Sequence, residues 1–159
     1  MSGSEGIRGF DFLHGRWNVA SRSLVRRLAG CTDWEEFPGT AVCRPFFDGA
    51  GNVDEIVFPT KGVSGMTLRL FDREREQWFI YWADSHTGRL GPPVIGGFAD
   101  GRGDFYGDDV EAGRPVRVHF IWSEITPESA RWQQSFSPDG TTWETNWIME
   151  FTRSLRVAA

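Results

Sequence analysis

Hydrophobic and polar residues alternate along most of this chain with the two-residue period of a β-strand. The pattern is clearest between Ala130 and Arg153. Trp132, Gln134 and Phe136 alternate with Arg131, Gln133 and Ser135, and Pro138, Asp139 and Gly140 follow as a turn. Trp143, Thr145, Trp147, Met149 and Phe151 then share one face of a returning arm, while Glu144, Asn146, Glu150 and Thr152 share the other and Ile148 breaks the rule. The pattern predicts a hairpin with Trp132, Gln134 and Trp147 pointing inward and Arg131, Gln133, Asn146 and Glu150 pointing outward. One hairpin cannot cover so many rings, so the rest of the chain must form a wall that faces them.

That wall is legible in the remaining alternation. Ile7 to Leu13 is an apolar cluster too short for an independent helix and predicts a plug turn. Trp17, Val19, Ser21 and Ser23 mark a first strand. Trp34 to Phe37 and Thr40 to Phe47 predict a second, broken by a bulge or corner at Pro38-Gly39. Val53 to Phe58, Met66 to Phe71, Trp78 to Ala83, Val94 to Phe98, Gly103 to Tyr106 and Arg114 to Trp122 complete the set before the hairpin, with Asp100-Gly101 as a tight turn. Ser85 to Pro93 is rich in Gly and Pro and predicts an irregular rim. No segment keeps a helical period and no long repeat is visible. The expectation is an all-β fold, a single antiparallel barrel of about eight to ten strands over residues 1–159 with a short N-terminal plug turn or helix.

Composition narrows the class further. With 40% hydrophobic and 25% charged residues among 159, the chain can bury a core of its own without metals or disulfides. No apolar run approaches the roughly 20 residues that span a bilayer. The opening MSGSEGIRGFDF has no charged-then-apolar leader pattern, so the expected location is cytoplasmic, away from membranes. Acidic residues outnumber basic ones by 22 to 17, which argues against a nucleic-acid partner. Arg22, Arg26 and Arg27 are the one basic cluster, and outer-face solvation explains them. Cys31 and Cys43 have no zinc or disulfide spacing and read as small apolar side chains; no metal site is expected. Eight Trp residues are many for this length and imply either a core of large rings or the lining of an apolar pocket.

Gly15-Arg16-Trp17 after a short apolar plug resembles the G-x-W signature of the calycin superfamily. Together with FDFLHGRW (Phe10 to Trp17), NVDE (Asn52 to Glu55), WFIYWAD (Trp78 to Asp84), PPV (Pro92 to Val94), FYGDD (Phe105 to Asp109) and WETNWIMEFTR (Trp143 to Arg153), it resembles a bacterial lipocalin-like family of unassigned function over nearly the whole chain. The resemblance implies a calycin-like closed antiparallel barrel with an interior pocket for a small apolar ligand. Calycin relatives include haem-binding nitrobindins and fatty-acid-binding proteins. His14, His86 and His119 do not match a nitrobindin haem site, and no Arg-x-Tyr carboxylate clamp is present, so neither haem nor a fatty acid is the expected ligand.

The chemistry-bearing residues are few. There is no G-x-S-x-G and no phosphate-cradling glycine loop, so a nucleophile motif and nucleotide cofactors lose support, and no cofactor is expected. Glu55, Arg69, Asp84, His86, Tyr106 and Gln134 are the polar residues expected on the inward face or the rim. Gln134, between Trp132 and Phe136, needs a buried partner or a ligand. The first functional expectation is a barrel that binds an apolar or aromatic small molecule, lined by Trp17, Trp82, Trp122, Trp132, Gln134 and Trp147. The alternative is a cofactor-independent isomerase, cyclase or lyase with Asp84, His86 or Glu55 as acid-base groups in the same cavity. Oligomeric state is left open.

Overall fold

The computed structural model describes residues 6–154; the first and last five residues of the expected domain lie outside the described residues. Ten strands follow one another in the chain: β1 (Gly15–Leu24), β2 (Trp34–Phe46), β3 (Gly51–Phe58), β4 (Val63–Asp72), β5 (Gln77–Asp84), β6 (Val94–Ala99), β7 (Arg102–Glu111), β8 (Arg114–Ser123), β9 (Ser129–Ser137) and β10 (Glu144–Arg153). Each pairs antiparallel with the next, and β10 pairs with β1 to close the barrel. Closure leaves no unpaired edge along an aromatic-rich sheet. Two of the hairpins are two-residue turns with both central residues at positive φ, Asp100-Gly101 and Ala112-Gly113, the backbone twist that suits antiparallel strands.

The expected strands are all present, most of them longer at their ends. Two local readings change. The Pro38-Gly39 break does not interrupt β2: both residues stay in register, opposite Ala20 and Val19 of β1. At β10 the register slips between Thr145 and Trp147, where Ser135 and Gln134 of β9 remain consecutive. This bulge reverses the expected parity upstream of it. Asn146, expected outside, is fully buried, whereas Trp143 and Thr145, expected inside with Trp147, lie on the outer side against His119 and Ser135.

The plug at the start of the chain closes one end of the barrel. Phe10 is fully buried among Trp78, Phe98 and Phe105, with ring centroids 4.9, 4.8 and 5.7 Å away. The indole N–H of Trp78 donates to the Gly6 carbonyl at 2.9 Å, and that of Trp17 to the Leu13 carbonyl at 2.8 Å. Arg153, at the end of β10, donates to the carbonyls of Phe12 and His14 and lays its guanidinium 3.8 Å from the centre of the Trp17 ring. These bonds satisfy plug carbonyls that no strand pairs with.

Candidate functional site: the barrel interior and its mouth

Above the plug the lumen widens into a pocket of about 110 Å3. One wall is aromatic. Trp132 meets Trp147 edge to face at 5.2 Å, Trp147 meets Trp82 at 6.3 Å, and Phe120 meets Trp132 at 5.0 Å. Such geometry sets ring edges against ring faces and holds the wall in one arrangement. Trp82 fits because residue 65 on the neighbouring strand is glycine: a Cβ there would lie 1.8 Å from the indole.

The lining contributed by β3 and β4 is polar. Period-two alternation on β3 and β4 turns Asn52, Asp54, Thr67 and Arg69 inward, and all four are buried. Nη1 of Arg69 is ion-paired with Asp54 Oδ2 at 2.7 Å and donates to Asn52 Oδ1 at 2.8 Å. The guanidinium lies 5.2 Å from the Phe10 ring centre and 6.0 Å from that of Trp122, so the plug forms its floor. Cys43 donates its thiol to Asn52 Oδ1 at 3.6 Å, and burial pushes that thiol up to about 11, with Arg69 opposing and Asp54 reinforcing the shift. Nε of Arg69 and Nδ2 of Asn52 are buried without a partner among the described residues. A buried pair with unmet donors is costly unless something completes it.

Gln134 stands on the far side of the lumen and donates through Nε2 to Asn146 Oδ1 at 2.8 Å. The partner that the sequence required for Gln134 is therefore a side chain delivered by the bulge. The lining runs out past Gly91, Pro92, Asp108 and Asp109, beside the seam where β5 and β6 pair over only three residues. Asp108 is ion-paired with Arg117 at 3.0 Å on the surface. A second, shallower groove at the rim shares Trp82 and Trp147 with the interior and is lined also by Phe37, Lys61, Asp84 and His86.

The expected site residues are distributed as follows. Trp82, Trp122, Trp132, Gln134 and Trp147 line the pocket. Trp17 is inward but sits lower, in the plug, under Arg153. Asp84 ends β5 at the rim, where its Oδ1 accepts the backbone N–H of His86 at 2.9 Å and of Thr87 at 3.0 Å; His86 itself is exposed. Glu55 and Tyr106 stand on the outer face. The alternation that buries Asp54 turns Glu55 to solvent, so Asp54 is the carboxylate that the lumen contains. Tyr106 stacks on His119 at 4.2 Å outside the barrel, with Trp143 edge-on to both. His119 Nε2 lies 2.8 Å from Asp104, whose carboxyl is held below its usual range first by the hydrogen bond from Arg102. Arg27, read as a solvated outer-face residue, is tucked over the Phe136 ring at 5.4 Å, where burial lowers its pKa. The β1–β2 connection folds inward there, and Leu28 N–H donates to Glu144 at 2.7 Å.

Sequence reasoning missed Asn52, Asp54 and Asn146 as interior polar groups. Asp54 and Asn52 carried a signal, since the apolar Ile56 and Phe58 share their parity. Asn146 carried none, because the bulge is invisible to a count by twos.

The architecture is that of a closed ten-stranded antiparallel β-barrel. No protein-family model matches the chain, and no curated protein matches it. Among solved structures, the S-type phycobiliprotein lyase CPES from Guillardia theta is similar in fold, with a TM-score of 0.61 at 10% identity over 98% of this chain and 96% of that one. Among the described residues no helix is long and apolar enough to cross a membrane, and no group of three or more His, Cys, Asp or Glu side chains is placed to hold a metal.

Proposed function

We propose that this protein binds an apolar or aromatic small molecule in the barrel interior. The observation that carries the reading is the pocket itself: edge-to-face rings of Trp82, Trp132 and Trp147 sharing one lumen with a buried polar cluster that has donors to spare. Trp122 and Gln134 complete the contact surface, with Trp17 supporting the floor from below. The likeness to a phycobiliprotein lyase supports a barrel used to handle a small molecule and names no ligand for this chain. The test is saturable quenching of tryptophan fluorescence by uncharged aromatic compounds. Ala41 lines the pocket, and Ala41→Phe fills it at a cost of about 1 to 3 kcal/mol. That variant is expected to keep its β-sheet circular dichroism and lose the quenching; unchanged quenching would place the ligand elsewhere.

A second reading, cofactor-independent catalysis, is favoured by one observation: Asp84 and His86 share the rim groove with Trp82 and Trp147. On this reading Asp84 and His86 carry the proton and Glu55, on the outer face, stays outside the reaction. Asp84→Asn separates the two readings, because catalysis expects lost turnover with quenching retained.

A further inference from the structure

The interior polar cluster bears on the charge of whatever the pocket takes. Resting on the binding reading above, we propose that the pocket selects an uncharged aromatic molecule bearing a carbonyl or similar acceptor, and rejects the carboxylate of the same shape.

Three observations lead there. First, Arg69 is the only cation in the lining among the described residues, and Asp54 already answers its charge at 2.7 Å with both side chains nearly buried. A ligand carboxylate beside this pair would leave one uncompensated negative charge in a low-dielectric site, close to Asp54. Second, the guanidinium is incompletely used. Nη1 serves both Asp54 and Asn52, and Nε is buried without a partner among the described residues. An N–H without a partner in a pocket wall calls for an acceptor, and a neutral carbonyl supplies one without adding charge. Third, the mouth is acidic. Arg117 answers Asp108, but Asp109 has no ion-pair partner among the described residues, so an anion entering the lumen passes an open negative charge.

The rings fit the same class of ligand. The rings of Trp82, Trp132 and Trp147 offer edges and faces to a flat molecule, and Arg69 lines the same pocket, so a bicyclic aromatic ketone can rest on the rings with its oxygen toward Arg69.

The test compares 2-acetylnaphthalene with 2-naphthoate near neutral pH, by tryptophan quenching and by the shift in Tm. The ketone is expected to bind at least about tenfold more tightly, a difference of about 1.4 kcal/mol. Raising the salt concentration should narrow that gap by screening Asp109. In Asp54→Asn the charge of Arg69 is unanswered, so naphthoate should then bind about tenfold better than it does to the native chain and raise the Tm of the variant. Should the variant fail to fold, the native comparison and its salt dependence still decide. Naphthoate binding as tightly as the ketone to the native protein would overturn the charge selection and leave the binding reading standing. Quenching by neither compound would overturn both.

Discussion

Cys43 shows how much a single residue takes from its surroundings. In sequence it is one of two cysteines without a motif; in the fold it is buried beside Asn52, Asp54 and Arg69, and burial pushes its thiol up to about 11. The folded state thus keeps a proton that the unfolded thiol sheds from about pH 9. The unfolded state is the poorer proton binder in that window, so stability falls as pH rises from about 9 toward 11 and is unaffected by this group at lower pH. Urea unfolding should show native protein losing on the order of 2 kcal/mol more than Cys43→Ala across that range. A thiol reagent at neutral pH should meanwhile label partly exposed Cys31 quickly and Cys43 only on unfolding.

At the scale of elements, the β9–β10 hairpin combines a pattern that sequence carries with an irregularity that it hides. Trp132, Gln134, Trp147 and Met149 face inward as alternation requires, but the slip at Asn146 brings an extra side chain into the core to meet Gln134. The single buried bond gives this bulge a measurable worth. Asn146→Ala leaves the Gln134 amide without its acceptor and should cost about 1 to 3 kcal/mol, with Gln134→Ala added to it costing far less than the sum. Trp147→Ala should cost about 3 kcal/mol or more through the void it leaves, and Gln133→Ala, on the outer face, less than about 0.5 kcal/mol. Equal midpoints in urea for Trp147→Ala and Gln133→Ala would mean that the register of β10 is misassigned.

For the whole molecule, closure joins the two ends of the chain. β1 lies between β2 and β10, and Arg153 reaches from the last strand to carbonyls of Phe12 and His14 at the first turn. The plug therefore rests on a residue about 140 positions away in sequence. Arg153→Met removes three charge-assisted bonds, to Phe12, His14 and Pro127, and the cation over Trp17, and should destabilise the barrel by about 3 kcal/mol. Hydrogen exchange should localise the change, with amides of residues 7–14 opening faster while those of β7 and β8 hold; uniform loosening would mean that the arginine clamps the whole barrel and not the plug.

What the sequence by itself determined is the local part of this protein. A two-residue period needs no distant partner to be read, so ten strands, their turns and the inward side of most of them are written in the alternation, and Trp82, Trp122, Trp132 and Trp147 follow from it as lumen residues. Only the tertiary structure decided which walls face each other. The Arg69–Asp54–Asn52 cluster depends on the register of β3 against β4, the Gln134–Asn146 bond on one inserted residue, and the position of Trp17 below the pocket on the plug folding back beneath it. Each of these is a choice among pairings that leave the alternation unchanged, and packing the rings of both walls into one closed lumen makes that choice.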